Sequence, residues 1–284
     1  MTFSERNIFF KIKIAFCSII AFLMLAGSFS VIPLYPSMPE SISIGENAAS
    51  NRPNDIFQLF FSLFLKADYL AVHCSIILCV LYSFLAIILI HYFFEQTSAP
   101  EIFYVAIFTI SFSFEIIRII LPLQLIHSIP SFYLLISARI LLFFRFFGIF
   151  SLFAAGICAA GLEDQKTSTI ILVIATAALI IAFSVPINTQ IWDTSLNMAV
   201  GSTFMFRLVE VTVFLVTIIS FFVAVNVRGS KDYFNVGIGV GLALIGRTLL
   251  HNADNWVSPI LGITLLSLGT YYICSKLHKI HLWL

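Results

Sequence analysis

Eight long apolar runs, divided by short polar connectors, constrain this sequence more than any other feature. A bilayer's hydrocarbon core is about 30 Å thick and a helix rises about 1.5 Å per residue, so about 20 apolar residues cross it. The runs are Ile8–Val31, Tyr69–Phe93, Ile102–Leu125, Phe132–Gly161, Thr167–Ile187, Thr203–Val227, Phe234–Leu250 and Val257–Cys274. His251-Asn252-Ala253-Asp254-Asn255-Trp256 is too polar for hydrocarbon and separates the last two. The expected fold is all-α: a single polytopic transmembrane helical bundle over residues 1–284, with the lipid bilayer as its surroundings.

Composition agrees. The chain is 60% hydrophobic and 10% charged, against about 45–50% and 25% in soluble domains. Its net charge is +1, and no basic run or acidic tail points to a nucleic acid. Cys17, Cys74, Cys79, Cys158 and Cys274 all lie in apolar stretches without a CxxC or Cys/His cluster. Separate buried thiols are the expectation, with no metal site and no cofactor.

The distribution of cations sets an orientation. With a cytoplasmic N-terminus, the inner segments carry Arg6, Lys11, Lys13, Lys166, Arg228, Lys231, Lys276 and Lys279, and the outer segments only Arg52 and Lys66. The excess of Lys and Arg inside favours that arrangement, with both termini cytoplasmic. Seven spans would put Lys276 and Lys279 outside, so the charges support eight. One alternative is a cleaved signal peptide, because Lys11, Lys13, the run Ala15–Leu25 and Ala26-Gly27-Ser28 fit its pattern. Cleavage would leave seven helices. The compact loops suggest a bacterial plasma membrane.

Residues 32–68 form the longest connector, expected on the outer side. Pro33, Pro36, Pro39 and Pro53 break up its first half. Ile56–Leu65 is apolar but too short to span, which suits an interfacial segment.

Apart from Lys11 and Lys13 at the inner end of the first run, five of the fifteen cationic residues fall inside spans, and all five are arginine: Arg118, Arg139, Arg145, Arg207 and Arg247. A charge at the bilayer centre costs at least about 2.5–3.5 kcal/mol, so these side chains must face protein or water. Arg also suits planar anions, which it grips with two hydrogen bonds. The helix directions put Arg118, Arg139, Arg207 and Arg247 toward the outer side, with Arg145 near the middle. Glu115 precedes Arg118 by three residues, and Arg207 precedes Glu210 by three. On α-helices each pair shares a face, with Arg outward of Glu by about 4.5 Å. His251 joins them near the outer boundary.

These residues support three readings. In the first, Arg118, Arg139, Arg145, Arg207 and Arg247, oriented by Glu115 and Glu210 with His251 at the rim, bind an anionic small molecule or lipid head group for transport or sensing. In the second, the same charges pair between helices and fix packing in a structural or accessory subunit with a membrane-protein partner. The third rests on His73-Cys74-Ser75. In residue types and depth this resembles membrane-embedded cysteine transpeptidases of the exosortase type, which implies Cys74 as nucleophile. The glycine motif expected around that cysteine is missing, and the order and spacing differ.

Other motifs carry less. Gly237-Ile-Gly239-Val-Gly241 follows no strand, so a nucleotide loop is excluded; Gly237 and Gly241 make a GxxxG face that Gly246 extends. No HExxH, GxSxG or Walker sequence occurs, and no catalytic residue is assigned.

Overall fold

The computed structural model describes residues 3–33, 64, 66–94, 100–127, 129–161 and 167–282. Along them run α1 (Phe3–Val31), α2 (Tyr69–Phe94), α3 (Pro100–Ser111), a 3-10 helix (Phe112–Ile119), α4 (Ile120–His127), α5 (Ser131–Ala159) and α6 (Thr167–Ser184). A hairpin of β1 (Ile187–Trp192) and β2 (Met198–Val200) follows, then α7 (Thr203–Arg228), α8 (Asp232–His251) and α9 (Val257–Leu282). Among the described residues, eight helices are long and apolar enough to cross a membrane, with α3, the 3-10 helix and α4 acting as one span. The chain is an all-α membrane-type bundle, as its apolar runs require. The proposed interfacial segment Ile56–Leu65 lies outside the described residues except for Phe64.

The third span is the most enclosed: 72% of its apolar window is buried, against 17% for α6 and for α7. It therefore forms the centre of the bundle. Sidedness fails to appear as amphipathicity in such helices, because lipid solvates an apolar outer face as readily as protein packs an apolar inner one.

The centre departs from α-geometry. A 3-10 run of more than three or four residues is uncommon, yet this one covers Phe112–Ile119. Pro122 contributes to the irregularity, since it lacks an N–H and its ring crowds the carbonyl four residues earlier. With three residues per turn, side chains at i and i+3 eclipse. Phe112, Glu115 and Arg118 consequently form one row, and all three are buried.

Small residues bring α8 and α9 together. A Cβ on Gly246 would lie 2.5 Å from the backbone nitrogen of Leu266, and one on Gly269 would lie 2.6 Å from Ala243 N. The close face of α8 is therefore Gly239, Ala243 and Gly246. Gly237 and Gly241, expected to form the close contact, face α7 instead: a Cβ on them would lie 3.4 Å from Phe222 and 3.8 Å from Ile218, ordinary packing distances. The Ser75 hydroxyl donates to the Leu250 carbonyl at 2.6 Å, and the Tyr82 and Thr270 hydroxyls share a hydrogen bond. These contacts fasten α2 to the α8–α9 pair.

A β-hairpin stands where the apolar runs predict only a connector between the fifth and sixth spans. Its strands pair antiparallel, Ile187 with Val200 and Trp192 with Met198, with an irregularity between Asn188 and Trp192. Its tip enters the bundle. Leu196 is 1% exposed and packs with Met24 of α1, Ile76 of α2, Ile119 and Leu134. The tip is closed by Asp193 N–H donating to Asn197 O at 2.8 Å, and Leu196 adopts φ +55°, a region that side chains other than Asn and Asp seldom occupy. The hairpin thus plugs one end of the bundle.

Candidate functional site

Glu115 is the hub of a buried polar network. Its carboxylate is 0% exposed, so it depends on cations for its charge to be tolerated. Arg145 of α5 donates from Nε to Oε1 at 2.7 Å and from Nη2 to Oε2 at 2.6 Å, a two-point grip suited to guanidinium and carboxylate. Arg118 Nη1 lies 3.4 Å from Oε2. His251 Nε2 lies 3.3 Å from Oε1, while its ring stands 5.5 Å from that of Phe112.

The hairpin completes this network. Arg118 Nη2 donates to the Ser195 carbonyl. Arg145 Nη2 donates to Asn197 Oδ1 at 3.0 Å, and Asn197 Nδ2 donates to Ser195 Oγ at 2.8 Å and to the His251 carbonyl at 3.0 Å. Asn197 therefore joins α5, the hairpin and the end of α8. Sequence reading missed it because a lone Asn in a connector has no distinguishing spacing. The alternating Ile187, Thr189 and Ile191 before Asp193-Thr194-Ser195 was the available strand-and-turn signal.

A second pair flanks the hub. Arg247 Nη1 donates to Glu210 Oε1 at 2.6 Å and its Nη2 to the Arg145 carbonyl at 3.2 Å. Arg247 also lies against the Phe214 ring, 5.7 Å from its centroid. The expected Arg207–Glu210 pairing on one helix face does not form: Glu210 turns to α8, and Arg207 is exposed without a hydrogen bond or ion pair among the described residues. The Glu115–Arg118 pair does form, but through 3-10 eclipsing, and Glu115's closest partner is Arg145. Arg139 stands apart, donating to the Phe183 carbonyl at 3.0 Å at the end of α6.

Between this network and the hairpin lies a cavity of about 520 Å³. Arg118, Arg145 and Arg207 line it, together with Glu210, Asp193, Asn197 and Asn252. Arg139 and Arg247 do not line it. The remaining wall is largely apolar, including Ile117, Leu121, Leu141, Leu142, Ile191 and Phe206. His251, expected at a solvent rim, is the last residue of α8 and buried. Its neighbour Asn252 reaches the cavity instead.

Of the charged side chains that line the cavity, Arg118, Arg145 and Arg207 outnumber Glu210 and Asp193 by one guanidinium. Arg118 Nε makes no hydrogen bond among the described residues, and Arg207 contributes a complete unpaired fork.

Cys74 is half-buried. His73 Nε2 sits 3.0 Å from Ser28 Oγ, and His251 is engaged by Glu115. Among the described residues, no group of three His, Cys, Asp or Glu side chains converges as a metal site.

The fold and the site define a polytopic helical membrane protein with a charged interior. The chain is similar to a protein of Treponema pallidum (strain Nichols) described as an uncharacterized protein, with 20% identity over 239 residues covering 67% of this chain and 69% of that protein. No family model matches the chain. No solved structure matches it.

Proposed function

We propose that this protein binds the anionic group of a small molecule or lipid in the arginine-lined cavity, in the service of transport or sensing. Arg207 supplies the unshared positive charge, Arg118 and Arg145 supply the inner wall, and Glu115 fixes their forks. Glu210 and Arg247 moderate the field beside them. The observation that carries this reading is the meeting of three guanidinium groups at one cavity, at a depth where unneeded charge is costly. The distribution of Lys and Arg supports an orientation in which the hairpin end faces outward, with both termini cytoplasmic, and the compact loops suit a bacterial plasma membrane.

The test is equilibrium binding of sn-glycerol 3-phosphate to the purified full chain in neutral-lipid nanodiscs. A charge-assisted hydrogen bond contributes about 1.5–3 kcal/mol, so Arg207→Gln is expected to weaken binding about tenfold or more. Arg207 holds no other side chain, so the unfolding temperature stays near that of the parent. No saturable binding, or equal binding by parent and variant, contradicts the proposal.

A second reading is favoured by the partners already present: Arg118, Arg139, Arg145 and Arg247 each reach a carboxylate or a backbone carbonyl. In that reading the charges serve packing in an accessory subunit of a membrane complex. Arg118→Gln and Arg247→Gln separate the two. Loss of binding with normal folding favours a site, and loss of the folded protein favours packing.

A further inference from the structure

A second cavity adjoins the first. It is an apolar cleft of about 270 Å³ between α6 and α7, floored by Phe146 of α5 and walled by Ile180, Ile181, Met205, Phe206 and Val209. No charged residue lines it, and the Ser184 hydroxyl at its edge is turned back to the Ile180 carbonyl at 2.7 Å. Phe206 and Val200 belong to the walls of both cavities. The Phe206 ring stands edge-on to Phe146, with centroids 5.4 Å apart. Phe206 and Val200 thus stand between the arginine-lined cavity and the cleft.

The cleft arises from packing. α6 and α7 both lean on α5 rather than closing on one another. At its mouth Ile180 is 62% and Met205 60% exposed, while Phe146 at its floor is 2% exposed. In a bilayer such a mouth meets acyl chains.

We infer that the ligand is a lipid with an anionic phosphate head group, which enters sideways between α6 and α7. The inference rests on the anion-binding reading above. The head group occupies the cavity of Arg118, Arg145 and Arg207, and an acyl chain lies in the cleft. A free anion needs only the polar cavity; an apolar cleft beside it, sharing Phe206 and Val200 as walls, fits a molecule carrying both parts. Chain transfer from bilayer to cleft brings no hydrophobic gain, since lipid tails are as apolar as the cleft wall. The cleft contributes geometry instead: it lets the head group reach the arginines while the chain stays in apolar surroundings.

The experiment compares two probes on the full chain in phosphatidylcholine nanodiscs: phosphatidic acid, and sn-glycerol 3-phosphate as the same head group without chains. The double variant Ile180→Trp with Met205→Trp fills the cleft mouth. It is expected to lower affinity for phosphatidic acid at least tenfold and to leave affinity for glycerol phosphate within twofold. If both probes bind and the double variant holds phosphatidic acid unchanged, the lateral-entry inference falls and the anion reading stands. If neither probe binds the parent chain, the anion reading falls and takes this one with it. If the double variant loses both probes, mapping on the parent chain decides. Phosphatidic acid carrying a photoreactive group on its chain should label peptides containing Ile180, Met205 and Phe206. Labelling spread evenly over the bundle's lipid-facing helices would overturn the inference.

Discussion

Arg145 holds Glu115 by two hydrogen bonds, Nε to Oε1 at 2.7 Å and Nη2 to Oε2 at 2.6 Å, across the contact between α5 and the 3-10 helix. The pair is also where the hairpin attaches, because the same Arg145 nitrogen reaches Asn197. Loss of the acid would leave Arg118 and Arg145 facing each other in a buried space. Removing one partner of a buried pair costs about 3–5 kcal/mol. Glu115→Gln is therefore expected to lower stability by about that amount in a detergent unfolding titration. Arg145→Lys, which keeps the charge but loses the fork, should fall between parent and Glu115→Gln. Parent-like stability of Glu115→Gln would show that the hub is not structural.

The α8–α9 interface offers a test that involves no charge. A methyl on Gly246 meets backbone at 2.5 Å, whereas one on Gly241 meets only Ile218 at 3.8 Å. Overpacking a tight contact costs about 1–3 kcal/mol. Gly246→Ala should destabilise by that amount and Gly241→Ala should be near neutral, read from thermal unfolding of the two variants side by side. Equal effects would contradict the assigned face.

Leu196 anchors the plug. It combines near-complete burial with a left-handed backbone, so native packing holds it against an unfavourable local conformation. Leu-to-Ala substitution in a packed core costs about 2–5 kcal/mol. Leu196→Ala should loosen the hairpin first, detected as faster amide exchange at Trp192–Val200 than in the helices. Unchanged exchange there would mean that the hairpin is held by Asn197 and Ser195 alone.

Topology is checked by labelling. Ser202 and Lys231 are both exposed, at opposite ends of α7. With Cys74 and Cys274 replaced by Ser, an impermeant thiol reagent added to intact cells should modify Ser202→Cys and spare Lys231→Cys. The reverse pattern would invert the proposed orientation.

The spans were legible in sequence because bilayer crossing depends on length and apolarity, both local properties. Their ends were less so: the fifth span stops at Ser184 before the hairpin, and the seventh takes in His251. Partner choice was not legible. The spacing of Arg207 and Glu210 suggests a local pair, but Arg247, thirty-seven residues from Glu210 in sequence, competes successfully for the carboxylate. Depth in the bilayer groups the intramembrane arginines but does not tell which of them face the cavity. Arg145 does so because the 3-10 row directs Glu115 toward α5, and no local pattern in the sequence announces a 3-10 segment of that length.

The most direct measurement for the account is a cryo-electron microscopy map of the full chain in nanodiscs containing phosphatidic acid. Phosphate density is expected in the cavity within hydrogen-bonding distance of Arg207 and at least one of Arg118 and Arg145, with chain density leading out past Phe206. A cavity holding only water or collapsed side chains, with Arg207 directed to bulk solvent, would contradict it.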